Sequence, residues 1–169
     1  LLARQLDEAS TFLLRRTARR PTVGVILGSG LGGLAEEVAE VEAIPWAKIP
    51  HHAQPTVAGH RGILVLGTLG GRMVALLQGR LHQYEGYSLW QVTFPVRLLR
   101  ALGVTTLIVT NAAGALNPHF RPGDLMLIGD HINLPGMAGA NPLSGLDEER
   151  FGPRFVNMGG AYNPELHKL

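Results

Sequence analysis

Arg80, His82 and Tyr84 alternate along Gln78-Gly79-Arg80-Leu81-His82-Gln83-Tyr84-Glu85-Gly86-Tyr87. This stretch directly follows an apolar run, Met73-Val74-Ala75-Leu76-Leu77, that reads as a buried strand. If extended backbone persists past the strand, the three side chains share one face. That face would carry a fixed cation, a titratable imidazole and a phenol. A guanidinium presents a planar fork of donors that matches phosphate or carboxylate oxygens, and a neighbouring imidazole adds a further hydrogen bond or charge. The chemistry this suggests is oxyanion binding; the alternative is a surface arginine and a half-buried histidine at a strand end, with Tyr84 in the core.

A second candidate is Gly28-Ser29-Gly30-Leu31-Gly32-Gly33, which follows the apolar run Thr22 to Leu27 and precedes a short helical stretch, Leu34 to Val38. The spacing satisfies G-x-G-x-x-G in the strand-to-helix context that gives the dinucleotide fingerprint its meaning. That admits a nicotinamide-dependent oxidoreductase. Against it, the acid expected about 20 residues on falls early, at Glu42, and a proline-bearing loop follows. Binding of one simple oxyanion by the Ser29 hydroxyl and the adjacent amides is the more economical reading. His60, between Gly59 and Arg61-Gly62, is either held toward a pocket or exposed in a turn. Thr110-Asn111-Ala112-Ala113-Gly114 ends another buried run with side chains too small to cover its amides, which suits either a ligand or close packing. His51, His52, His60 and His82 show no paired metal-ligand spacing, so no metal site is expected. Asp130-His131 are sequence neighbours whose side chains diverge in extended backbone, which favours a structural role.

The elements that must position these residues follow from periodicity. Leu2, Leu6, Ala9, Leu13 and Leu14 predict an amphipathic helix that stops at Arg20-Pro21. Strands are expected at 23–27, near 41–44, at 63–69 and 72–78 as a hairpin about Gly70-Gly71, at 104–110 and at 124–128. A helix is expected over Leu89 to Leu102, kinked or delayed by Pro95. The segment from Asn133 to Pro164 reads as a long loop of functional or interface character. Alternating helices and buried strands predict one α/β domain over 1–169, with a central mixed sheet flanked by helices.

Composition limits the partners. With 46% hydrophobic and 17% charged residues and a net charge of +2, the chain suits a globular protein, with no electrostatic case for nucleic acid or a membrane surface. It has no cysteine, so no disulfide or thiolate chemistry is available and a cytoplasmic location is expected. No apolar run approaches the ~20 residues that span a bilayer. Leu1 to Glu8 interleaves charges with apolar residues, unlike a signal-peptide core. Pro164 to Leu169 reads as the first turns of a helix, so the C-terminal part of the domain is expected to be lacking.

Five motifs together carry a resemblance. Leu27 to Gly32, Val57-Ala58-Gly59-His60, Gln78 to Tyr87, Val109 to Gly114 and Asp130 to Gly136 closely resemble the homotrimeric purine nucleoside phosphorylase family, in order and at family-like spacing. The resemblance implies reversible phosphorolysis of purine nucleosides of the inosine or guanosine type, giving free base and ribose 1-phosphate. Phosphate is then a co-substrate and no cofactor is needed. It implies phosphate ligands at Ser29, His60, Arg80, Leu81, His82 and the Ala112 backbone, with His82, Arg80 and Glu85 catalytic. Nucleoside contacts are implied at Tyr84, Ala112, Ala113, Gly114 and at Phe155, lent to a neighbouring subunit of a trimer. The similar methylthioadenosine phosphorylases usually carry a threonine in the glycine loop, and Ser29 favours the purine nucleoside members. The family's base-recognising residues lie beyond Leu169, so base preference, activity of residues 1–169 alone and reaction direction stay open.

Overall fold

The helical spacing of Leu6, Ala9 and Leu13 is realised as α1 (Leu2–Arg16) in the structure, a computed structural model that describes residues 2–28, 30–143, 151–153 and 155–168. All three of those side chains are buried. The helix ends short of the expected stop at Arg20-Pro21. The Thr17 hydroxyl accepts the Arg19 amide at 3.1 Å, a local bond that competes with helix continuation.

Residues 1–113 and 114–169 form two compact units. The first is built on a five-stranded mixed sheet in the order β2-β3-β4-β1-β5. Its strands are β1 (Val23–Leu27), β2 (Ala39–Pro45), β3 (Ile63–Leu69), β4 (Arg72–Gln78) and β5 (Thr106–Val109). The fold is therefore α/β with a mixed sheet and flanking helices, as expected. β3 and β4 pair antiparallel from Ile63↔Gln78 to Leu69↔Arg72. Gly70 and Gly71 at the tip have φ of 56° and 74°, the double positive φ of a hairpin turn that follows strand twist. β1 runs parallel to both β4 and β5.

Alternation sorts the sheet into two faces. Val25, Leu27, Val65, Val74 and Leu76 gather with Ala35 and Val38 in one buried cluster. On the other face α2 (Leu89–Ala101) approaches closely: a Cβ on Gly24 would lie 3.1 Å from Leu99 and 3.0 Å from Val104. Leu64, Leu66, Leu76 and Leu99 are each at most 2% exposed, and full burial of such a side chain stabilises by about 2 kcal/mol. α2 begins where Ser88 and Gln91 form a reciprocal capping box, the Ser88 hydroxyl accepting the Gln91 amide. It runs through Pro95 without a delayed start.

The short helix expected over Leu34 to Val38 is present as a 3-10 helix, Gly32–Glu37. Two strand expectations change. β5 is shorter than the 104–110 run: Thr105 and Thr106 donate to the Thr22 carbonyl at its start, and Thr110 donates to Ile26 at its end. Residues 124–128, in the second unit, are not a strand. Leu125 is 90% exposed there, and among the described residues the segment has no ladder partner; an apolar run without pairing or burial has nothing to stabilise it as a strand. Also in that unit, Asn133 caps the short α3 (Leu134–Met137) by accepting the Gly136 amide at 3.0 Å.

Candidate functional site

Sheet topology gathers segments distant in sequence. Because β4, β1 and β5 are neighbours and parallel, their C-terminal ends open on one edge, and Gly79-Arg80, Gly28 and Thr110-Asn111 leave the sheet side by side. β3 runs the opposite way beside β4, so its N-terminal lead, His60-Arg61-Gly62, arrives at that same edge; the Gly62 amide donates to the Gln78 carbonyl at 3.0 Å. The crevice beyond the carboxyl ends of parallel strands is where open α/β sheets bind ligands.

Two glycines make the approach possible. A Cβ on Gly28 would meet the Thr110 carbonyl at 2.7 Å and an Arg80 guanidinium nitrogen at 3.0 Å. Gly79, at φ 117°, lies under His60, whose Cβ would be 2.7 Å from any Cβ placed there. Side chains at these positions would push Arg80 and His60 away from this edge.

A continuous hydrogen-bond chain then runs across the edge. Arg80 donates from one terminal guanidinium nitrogen to the Thr110 carbonyl at 2.7 Å and from Nε to His82 Nε2 at 3.0 Å. Since Nε2 accepts, the proton of a neutral His82 sits on Nδ1, which meets Glu85 Oε1 at 2.8 Å. The same oxygen accepts the His82 amide at 2.7 Å. Glu85 Oε2 accepts the Thr56 amide at 2.7 Å and the Thr56 hydroxyl at 2.6 Å. His60 and His82 have ring centroids 5.3 Å apart, and Tyr84 stacks on His82 at 4.6 Å.

The electrostatics follow from these contacts. The Glu85 side chain is only 2% exposed. Burial works to raise its pKa, but the hydrogen bonds from Thr56 and then from His82 outweigh it and lower the pKa to about 2. Glu85 is a carboxylate at every working pH. Partial burial, then His82 and Arg80, lower the pKa of His60. A cluster that disfavours further positive charge is one that gains from an anion.

The edge thus brings together Arg80, His82, His60, Tyr84 and Glu85, with Ala112 and Ala113 exposed in the segment leaving β5. Leu81 is 2% exposed and its side chain belongs to the core, leaving only its backbone for an anion. Ser29 lies outside the described residues. Gly114 and Phe155 lie in the second unit, where Phe155 is 89% exposed. His131 and Tyr162 stack at 5.5 Å in that unit. Sequence reasoning missed Thr56 and the Thr110 carbonyl. Thr56 directly precedes the Val57-Ala58-Gly59-His60 motif, but its partner is 29 residues away, beyond local patterning. Among the described residues no histidine and carboxylate cluster could hold a metal, and no helix is long and apolar enough to cross a membrane.

The glycine loop does not lead into a dinucleotide-binding unit. β2, the next strand, is the edge partner of β3 and antiparallel to it, and its Glu42 faces Arg19 at 3.9 Å. The two strands that run parallel to β1, β4 and β5, carry no acidic residue that could serve as the ribose-binding acid.

Comparisons with known proteins agree on a family. The model of the phosphorylase superfamily matches residues 22–169. Purine nucleoside phosphorylase from Bos taurus is 53% identical over 162 residues, 96% of this chain and 56% of the relative. Purine nucleoside phosphorylase 1 from Geobacillus stearothermophilus is 50% identical over 164 residues, 97% of this chain and 59% of the relative. The crystal structure of Schistosoma mansoni purine nucleoside phosphorylase in complex with inosine superposes with a TM-score of 0.90 at 42% identity, covering 98% of this chain and 58% of that one. The chain therefore spans a little over half the length of these relatives.

Proposed function

The chain belongs to the phosphorylase superfamily, and from that premise we propose that the protein catalyses reversible phosphorolysis of purine nucleosides of the inosine or guanosine type, giving free purine and ribose 1-phosphate. The observation that carries this is the convergence of Arg80, His82 and His60 on one sheet edge, where a phosphate would be held. The inosine bound by the Schistosoma mansoni relative supports the nucleoside as second substrate. Residues 1–169 belong to one α/β phosphorylase domain, and Ser29, the Leu81 backbone and the Ala112 amide complete the anion site.

Phosphate held there attacks the anomeric carbon of the ribose. The carbon–nitrogen bond breaks with its electron pair passing to the purine, which takes up the proton that the attacking hydrogenphosphate gives up as it becomes the ribose 1-phosphate dianion. The sugar acquires positive character in the transition state, and the fixed phosphate charge stabilises it; positioning and electrostatics dominate and no covalent enzyme intermediate forms. Arg80 and His82 touch the phosphate, Glu85 orients His82, and Tyr84, Ala112, Ala113 and Gly114 face the nucleoside. The exposed Phe155 serves the pocket of a neighbouring subunit in a homotrimer, in the cytoplasm.

The test is phosphate-dependent release of hypoxanthine from inosine by the full natural chain that contains this sequence. Release that requires phosphate supports the proposal. Cleavage of methylthioadenosine in preference to inosine, or none of any purine nucleoside, would sink it.

A further inference from the structure

The segment that carries His60 has two ends, and the structure holds each differently. Downstream, the sheet fixes it: the Gly62 amide donates to Gln78 and the Trp46 amide to the Gly62 carbonyl at 2.8 Å. Upstream there is no strand. The Tyr87 hydroxyl donates to the Gln54 carbonyl, and the amide and hydroxyl of Thr56 both donate to Glu85 Oε2. The other Glu85 oxygen holds the amide and ring nitrogen of His82. One carboxylate therefore takes four donors, two from the His60 segment and two from His82.

Resting on the reading of this edge as a phosphate site, we propose that Thr56 is a positioning residue for that site, its hydroxyl tying the His60 segment to the carboxylate that orients His82. Thr56 itself touches no substrate. Its hydroxyl contributes a charge-assisted bond of 2.6 Å, one of two such bonds from Thr56, and the backbone amide bond of 2.7 Å is the tie that remains when the hydroxyl is removed. The His60 N–H already closes a turn on the Val57 carbonyl at 3.2 Å, so what the hydroxyl fixes is the placement of that turn as a unit over Gly79. Loosening it lets His60 drift and frees one face of Glu85.

The experiment compares Thr56→Val and Thr56→Ser with wild type in the full natural chain. Thr56→Val keeps the branched shape and loses only the donor. Its phosphate KM is expected to rise about tenfold, the effect of losing one hydrogen bond to a charged group, while the nucleoside KM holds and Thr56→Ser restores wild-type phosphate KM. Carboxyl-carbon NMR gives a readout independent of turnover: Glu85 should titrate at higher pH in Thr56→Val than in wild type or Thr56→Ser. An unchanged phosphate KM in Thr56→Val, a Thr56→Ser variant as impaired as Thr56→Val, or an unmoved Glu85 titration would each overturn the inference. Absence of phosphorolysis in wild type would instead overturn the functional reading on which it rests.

Discussion

The Arg80 guanidinium lies 2.7 Å from the Thr110 carbonyl, so the second residue beyond β4 is pinned to the residue following β5 across the intervening β1. This contact fixes the direction of the fork while leaving part of it for an anion. Arg80→Ala should lower kcat/KM for phosphate roughly a hundredfold, the loss of about 3 kcal/mol of charge-assisted hydrogen bonding. Arg80→Lys should recover little, because an ammonium cannot span Thr110, His82 and phosphate in one plane. Steady-state kinetics at varied phosphate decides it; a lysine variant close to wild type would show that charge alone matters.

Gly79 makes a separate prediction. At φ 117° with His60 directly above it, Gly79→Ala combines a left-handed backbone with a steric clash against a packed Cβ. A stability loss of about 1–3 kcal/mol is expected, with a weakened phosphate site because His60 is what must move. Urea unfolding and phosphate KM measured together test this. An alanine variant that keeps both values would mean that the segment over Gly79 shifts freely.

These two positions mark how far local patterning reaches. The alternation of Arg80, His82 and Tyr84 is legible because period-two geometry is a backbone property, and the hairpin at Gly70-Gly71 is legible because positive φ leaves a residue signature. The convergence of His60, Arg80 and Thr110 is not local: it follows from β1 lying between β4 and β5, an order that no window of sequence displays. Residue chemistry named the separate anion-binding candidates, and the resemblance joined them into one site where periodicity could not. The apolar run at 124–128 misled for the converse reason, since a strand exists only through its partner. The Gly28 loop likewise has the dinucleotide spacing but leads to an antiparallel edge strand, which the spacing does not encode.

Glu85 provides a pH test of the clamp. Its folded pKa of about 2 lies below the roughly 4.5 of an unfolded carboxyl, so its contribution to stability is whole above about pH 4.5 and is lost as pH falls toward 2. Glu85→Gln keeps the shape and removes the charge. The stability gap between wild type and this variant, read from urea unfolding, should narrow as pH drops through that window. A gap that stays constant from neutral pH downward would show that the carboxylate's charge is not what its four donors stabilise.

His52 predicts a different window with the same slope sign. It is 8% exposed, 4.4 Å from the Trp46 ring and 5.9 Å edge-on to Phe94. Nδ1 donates to the Ala53 carbonyl at 2.9 Å, and Nε2 is buried without a partner among the described residues. Burial lowers its pKa to about 4, opposed only by the Ala53 bond, whereas an unfolded histidine titrates near 6.5. Between those values the unfolded chain binds the proton that the folded chain refuses. Stability is therefore whole above about pH 6.5 and falls with acidification by about 3 kcal/mol in all, levelling off below pH 4. His52→Phe, which keeps a ring against Trp46 without a titrating nitrogen, should flatten the pH dependence of unfolding between pH 6.5 and 4 and leave the Glu85 window below it intact. If the variant keeps the wild-type slope over that range, some other buried base carries the acid sensitivity, and the Trp46-His52-Phe94 cluster is inert to pH.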